Sequence, residues 1–381
     1  MHILHITTYM QGGSGKILLN LLLEQLKASH QVSLLISHTC YAPDYFHYPE
    51  YLKAIQEANI HCIQVDSTFK RDLEQNIQAV LEVKNLHLQT PIDLIHTHAA
   101  IPSLIGIMAS ENILGCNISV IQTMHGFGIK KKIFEEMDIA IMNMKTLKRV
   151  VTVSLSDKSR LLEKGVFKEK LATIPCGIEE STPKPYSNPL VDEISSFKAL
   201  GYKIIGCIGT VCIRKNQSLL IDACHLLKHK ANLPPFLCIF LGEGELIPSL
   251  QEKVSQLNLE KNVKFLGYQE DPILFLSLFD CLVLPSLKEG LPLTILEAFQ
   301  QKIPVIASDI PQLKELIEEG KTGYLFPLES AEALANTLEK VLTSSKETLE
   351  MISHLANHLY RTSYTAKQMA KRYQDLYRDI L

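Results

Sequence analysis

The sequence predicts an α/β chain of two Rossmann-like domains facing across a cleft, on three observations. Short apolar runs alternate with helix-period segments along the whole chain, the pattern of parallel sheets covered by helices on both faces. The runs form two sets, divided at residues 177–190, GIEESTPKPYSNPL, where Pro183, Pro185 and Pro189 fall in a stretch without apolar period that reads as a linker. At 381 residues the chain is too long for one ordinary α/β domain and sufficient for two, each able to bury its own core.

The first set has strands at residues 2–7, 31–36, 92–96, 118–122 and 150–153. Gly12, Gly13, Ser14 and Gly15 follow the first strand and lead into a helix expected over 16–27, so a ligand can approach the backbone there. A phosphate-binding P-loop is excluded by spacing: G-x-x-x-x-G-K-[ST] would need Gly at 10 and Ser or Thr at 17, where this chain has Met10 and Ile17. The second set has strands at 203–209, 236–241, 263–266, 281–284 and 304–306, and the chain closes with a helix over 366–381.

Composition removes several function classes. A net charge of −3 without long runs carries no nucleic-acid footprint. Nine cysteines are scattered singly, with no C-x2-C pair and an odd total, which argues for a reducing compartment and against a disulfide framework or zinc site. The longest uncharged stretch, 112–129, is broken by polar residues, and the first residues run directly into a strand pattern. Neither a membrane span nor a signal peptide is expected, so the protein is placed in the cytoplasm. Peripheral contact with a membrane is left open. Lys130, Lys131 and Lys132 precede Ile133, Phe134 and Met137, a basic and apolar edge that could touch anionic lipid, although the pattern favours an ordinary core-facing helix behind a solvated lysine run.

Residues 281–309, CLVLPSLKEGLPLTILEAFQQKIPVIASD, carry the most chemistry. CLVLP reads as a buried strand, SLKEG as a polar loop and PLTILEAFQQ as a helix with Pro292 in its first position. This order aims the free N–H groups of Leu293 and Thr294 outward at the C-terminal edge of a parallel sheet, where a phosphate can dock. Glu289 sits in the loop above. Glu297 shares the helix face of Leu293 and can accept hydrogen bonds from ligand hydroxyls. A phosphate flanked by two polyols is a nucleotide-sugar. Its diphosphate needs cations, and Arg214 and Lys215, just after strand 203–209, are placed to supply them.

The pair Glu289 and Glu297, spaced as E-x7-E, resembles the signature of the retaining "glycosyl transferases, group 1". The similarity extends along the chain through Gly12-Gly13, the run from Asp93 to His98, His125-Gly126, the run from Ile174 to Ile178, Ile208-Gly209-Thr210 with Lys215-Asn216, Gly242-Glu243-Gly244, the run from Pro304 to Asp309 and that from Gly323 to Pro327. The resemblance implies a GT-B fold, with an N-terminal domain over 1–176 completed by a crossing helix at 366–381, a linker over 177–200, and a nucleotide-sugar domain over 201–365. It gives Glu297 the ribose hydroxyls, Glu289 the hydroxyls of the transferred sugar, and the backbone of Gly290, Leu291, Leu293 and Thr294 the sugar and β-phosphate. Lys215 meets the diphosphate and Gly13 lies on the donor side. Where the family commonly has arginine after the strand glycine this chain has Thr210, and Arg214 is expected to substitute for it. His125 is implied beside the transferred sugar and, with His98, on the acceptor side. No cofactor or metal is expected: the mechanism implied is front-face transfer with retention, the donor a UDP-sugar before a GDP-sugar, and the acceptor a sugar, glycan or lipid-linked saccharide. A nucleotide-sugar epimerase of the same fold and a non-catalytic nucleotide-sugar binder are the alternatives.

Overall fold

A computed structural model of the chain describes residues 1–38, 46–66, 73–112, 118–126, 132–181, 188–231 and 233–381. They form two compact units, one of Met1–Glu179 with Tyr364–Leu381, the other of Glu180–Ser363.

Unit 1 alternates β1 (His2–Ile6), α1 (Gly12–Lys27), β2 (Gln31–Ser37), α2 (Pro49–Glu57), β3 (His61–Val65), α3 (Leu73–Gln89), β4 (Leu94–Thr97), α4 (Ala100–Asn112), β5 (Ser119–Met124), α5 (Lys132–Asn143), β6 (Leu147–Thr152), α6 (Leu155–Glu163) and β7 (Leu171–Thr173). Its strands are parallel in the order β3-β2-β1-β4-β5-β6-β7, so the winding reverses between β1 and β4. One face packs Leu4, Ile6, Ile95, Val120 and Val150 against Val83, Ile105 and Ile141 of the covering helices.

Unit 2 runs α7 (Pro189–Ala199), β8 (Lys203–Ile208), α8 (Gln217–Lys228), β9 (Phe236–Leu241), α9 (Ile247–Gln256), β10 (Val263–Phe265), α10 (Pro272–Leu276), β11 (Cys281–Leu284), α11 (Leu293–Gln300), β12 (Val305–Ser308), α12 (Pro311–Lys314), β13 (Tyr324–Phe326), α13 (Ala331–Thr343) and α14 (Lys346–Ser363). The parallel order is β10-β9-β8-β11-β12-β13, with the reversal between β8 and β11. The loops after β8 and β9 touch backbone to backbone. A Cβ on Gly244 would lie 2.0 Å from the carbonyl oxygen of Val211, so only glycine fits there.

The last helix, α15 (Ala366–Ile380), belongs to unit 1. Thr365 and Gln368 form its capping box, and Ala366, Met369, Tyr373 and Tyr377 make one buried stripe at helical spacing. It is tied down at its start, where the Ile178 N–H donates to the Tyr364 carbonyl and the Ala366 N–H donates to the Ile178 carbonyl, at 3.0 and 2.9 Å.

Several elements differ from expectation. β3, β7 and β13 are too short, or in β3 too polar, for alternation to reveal. Helix α7 occupies much of the stretch read as a linker, because Asn188 caps it and Pro189 starts it rather than breaking it; Pro183 and Pro185 lie outside the described residues. Helix α1 begins at Gly12, not at residue 16, so Gly13 is in its first turn. Gly15 permits close packing, since a Cβ there would meet the Met10 carbonyl carbon at 2.9 Å and the Tyr51 ring at 3.1 Å. Pro292 is the extended residue before α11, not its first helical residue. The start of α5 does not face the core: Ile133, Phe134 and Met137 are exposed while Ile141 and Met142 are buried. Lys130 and Lys131 lie outside the described residues. Among the described residues no helix is long and apolar enough to cross a membrane.

A Cβ at Gly177 would lie 2.2 Å from the Thr365 carbonyl oxygen, at the seam that holds α15. Gly177→Ala is therefore expected to destabilise unit 1 by about 1–3 kcal/mol, the usual cost of overpacking. Urea unfolding followed by circular dichroism measures it, and a midpoint equal to wild type would show that the seam yields freely.

Candidate functional site

The reversal between β8 and β11 makes two loops diverge at the C-terminal edge of the sheet in unit 2, the usual ligand position in an open α/β sheet. After β8 the chain makes a short turn over Ile213–Lys215, and Asn216 takes the left-handed conformation that asparagine tolerates. That turn brings two cations onto the loop after β11. Lys215 Nζ is 2.7 Å from Glu289 Oε1, and Arg214 Nη1 is 3.0 Å from Oε2. Arg214 also donates to the Lys288 carbonyl at 3.1 Å, and the Leu287 N–H donates to the Arg214 carbonyl at 2.9 Å. The Glu289 side chain is 5% exposed and that of Lys215 15%, whereas Arg214 is 49% exposed. Burial alone would push the Glu289 carboxyl up, but the Lys215 ammonium and the Arg214 guanidinium together hold it below the usual carboxylate range. It stands as an ionised hydrogen-bond acceptor.

Beside it α11 begins without a side-chain cap, since Pro292 precedes it. The N–H groups of Leu293 and Thr294 are in the first turn, where no intrahelical partner exists. Thr294 Oγ1 is buried with no hydrogen-bond partner among the described residues. Glu297 is buried one turn further along. Gly290 and Leu291 complete the loop between Glu289 and the helix. Unit 2 thus unites Arg214, Lys215, Glu289, Gly290, Leu291, Leu293, Thr294 and Glu297: two cations and a helix N-terminus suited to an anion, with carboxylates suited to hydroxyls.

In unit 1 the corresponding reversal lies between β1 and β4, and Gly13 is exposed in the first turn of α1. His98 follows β4 and His125 follows β5. His98 Nδ1 lies 3.0 Å from His125 Nε2, with the rings stacked at 5.2 Å. Two further histidines extend the stack, His5 of β1 and His96 of β4, which are paired in register. Sequence reasoning missed this cluster, although its signal was present: His5 interrupts an apolar strand, and His96 and His98, two apart, share one face. Burial pushes the His5 and His125 rings down to about 4 and His96 and His98 well below the usual histidine range. Nitrogens of His5, His96 and His98 lie within 4.8 Å of one another, close enough to suggest a metal site. Each ring is instead engaged in hydrogen bonds, His96 to Tyr377 and Thr123, and His5 to Gln25 and His98.

These shifts have a sign. The rings are neutral when folded and titrate near 6.5 when unfolded, so the unfolded chain binds more protons between pH 6.5 and about 4. Unit 1 should lose stability across that window, by about 1.4 kcal/mol per pH unit for each such ring. The Glu289 ion pairs are kept until pH falls below the usual carboxylate range. Thermal unfolding followed from pH 7 to pH 4 should thus show a loss that His5→Phe reduces and Glu289→Gln leaves unchanged above pH 5. A flat profile over this window would contradict burial of neutral rings.

The family model for glycosyl transferases group 1 matches residues 192–358, and that for glycosyltransferase family 4 matches residues 11–182. The chain is 25% identical over 81% of its length to the Escherichia coli UDP-Gal:alpha-D-GlcNAc-diphosphoundecaprenol alpha-1,3-galactosyltransferase, covering 81% of that protein. It is 22% identical over 76% of its length to the Bacillus anthracis N-acetyl-alpha-D-glucosaminyl L-malate synthase, covering 75% of it. The crystal structure of HepE from Anabaena in complex with UDP and glucose matches the fold over the full length of both chains, with a TM-score of 0.82 at 17% identity. With both matched segments in the expected order, and two parallel-sheet α/β units of the kind these structures share, the chain belongs to the group 1 glycosyltransferases of GT-B fold.

Proposed function

We propose that the protein transfers a hexose-type sugar, with retention of configuration, from a nucleoside-diphosphate sugar to a glycan, sugar or lipid-linked saccharide. The observation that carries this reading is Glu289, buried and ionised between Lys215 and Arg214 beside the open N-terminus of α11. A UDP-sugar is the first choice of donor. Support comes from the Escherichia coli relative, whose name records a UDP-Gal donor and a diphosphoundecaprenol-linked acceptor, and from the UDP and glucose of the Anabaena structure. Synthesis of a surface polysaccharide or glycolipid follows as the setting.

Within this reading Lys215 and Arg214 meet the negative charge that grows on the leaving diphosphate, an interaction stronger in the transition state than in the ground state. They and the α11 N–H groups take the place a divalent ion would fill. Gly290, Leu291, Leu293 and Thr294 hold the sugar and β-phosphate through backbone groups. Glu297 accepts from the ribose hydroxyls. Glu289, kept ionised by its cations, accepts from hydroxyls of the transferred sugar and is a positioning group rather than an acid. Within unit 1, Gly13 leaves room for a ligand, His125 is the proposed contact to a sugar hydroxyl, and His98 is hydrogen-bonded to His125. The exposed apolar residues Ile133, Phe134 and Met137 at the start of α5 are the ground for peripheral contact with a membrane, the source of a lipid-linked acceptor.

Two substitutions test the donor site. Glu297→Ala should weaken UDP binding by about 1–3 kcal/mol, the worth of hydrogen bonds to a charged group, in titration calorimetry. Unchanged affinity would remove Glu297 from the ribose. Lys215→Ala should lower kcat more than it weakens UDP-sugar binding. Equal losses in both would mean that Lys215 only binds.

A further inference from the structure

Eight buried polar groups of unit 1 are joined end to end. Tyr373 Oη lies 2.8 Å from Thr123 Oγ1, which lies 2.7 Å from His96 Nε2, and His96 Nδ1 is 2.8 Å from Tyr377 Oη. The Gln25 amide continues the file: its Nε2 donates to Tyr377 Oη at 3.0 Å, and its Oε1 faces His5 Nε2 at 2.8 Å. His5 Nδ1 is 3.1 Å from His98 Nε2, and His98 Nδ1 is 3.0 Å from His125 Nε2. Each neutral ring has one N–H and one lone pair. Two donors or two acceptors facing each other would forfeit a buried hydrogen bond, so along the run from Gln25 through His5 and His98 to His125, where no hydroxyl intervenes, the direction of one link sets the others.

Gln25 sets that direction. Its oxygen accepts from His5 Nε2–H, so His5 Nδ1 accepts from His98 Nε2–H, and His98 Nδ1 accepts from His125 Nε2–H. What remains is His125 Nδ1, a bare lone pair, buried and without a hydrogen-bond partner among the described residues. We infer that this file fixes the tautomer of His125 so that its Nδ1 accepts a hydrogen bond from a sugar hydroxyl, with Gln25, His5 and His98 as positioning residues that act through it. The inference rests on the reading of His125 as a ligand contact. Its consequence is selectivity, because a buried acceptor with no internal partner discriminates against an analogue that lacks the hydroxyl. The file is a scaffold and not a proton conduit, since the Gln25 amide at its middle does not relay protons. It also occupies the lone pairs that a metal on His5, His96 and His98 would need.

The full chain labelled with ¹⁵N-histidine tests this, each ring being assigned by substitution. In the free protein Nδ1 of His5, His98 and His125 should carry no proton and Nε2 should carry one. A proton on His125 Nδ1 would mean that the amide and every link run the other way. A mixture of tautomers would mean that no single file exists, and movement of the His5, His96 and His98 signals on adding Zn²⁺ would make the cluster a metal site. Any of these three overturns the inference. Gln25→Met should place a proton on His125 Nδ1 in part of the molecules, three links away, and weaken UDP-glucose or UDP-galactose binding several-fold while UDP binding holds. An unchanged His125 spectrum would remove Gln25 from the role. His98→Asn, which keeps an acceptor where Nδ1 stood, should preserve the wild-type tautomer where His98→Leu does not, and this pair serves if Gln25→Met folds poorly. A shifted spectrum with unchanged sugar-nucleotide binding would leave the file standing and instead sink the reading of His125 as a ligand contact.

Discussion

A parallel sheet covered by helices on both faces allows polar chemistry in only two places, and both units are organised by that constraint. Along the central strands the side chains are out of water, so a polar side chain there must find its partners inside. At the C-terminal edge the connecting loops diverge where the strand order reverses, and side chains there are free to meet a ligand. In unit 2 the reversal falls between β8 and β11, whose loops carry Arg214, Lys215 and Glu289. In unit 1 it falls between β1 and β4, the strands that carry His5 and His96.

The two units solve the problem of buried polarity in opposite ways. Unit 2 keeps a charge. Glu289 is ionised because two cations stand within hydrogen-bond distance, and losing both would leave its buried carboxylate uncompensated. Under the proposed function an arriving diphosphate would share the cations while the carboxylate turned its lone pairs to hydroxyls. Unit 1 excludes charge. Its four histidines are neutral and packed against one another, with His96 beside Tyr373 and Tyr377 of α15, and they gain order by using one another's donors and acceptors. The first arrangement suits chemistry in which negative charge grows. The second suits recognition of a neutral, hydroxyl-rich molecule.

The last helix links fold to site within unit 1. α15 seals the sheet face that bears the histidines, and it does so with two tyrosines whose phenols enter the polar file. The seam of Gly177, Ile178 and Thr365 sets where the helix starts, and so which turns of it reach His96. Packing at one end of the helix thus bears on hydrogen bonding along its length.

Much of this was legible in the sequence because it is local. Apolar runs of four to six residues named most strands, and the strand, loop and helix around Glu289 and Glu297 could be placed because their order alone decides where a helix N-terminus points. What the sequence could not decide was pairing between distant residues. That Lys215 and Arg214 both close on Glu289, some seventy positions later, depends on β8 lying beside β11. The short edge strands escaped because three residues show no alternation, and helix α7 escaped because a proline reads as a breaker until a cap is seen before it. The sequence placed His96 only within the run from Asp93 to His98 and singled out neither His5 nor Gln25. Only the register of β1 with β4, and the docking of α1 and α15 over that face, makes them one hydrogen-bonded array, since hydrogen bonds need angstrom proximity and sequence distance says nothing about it.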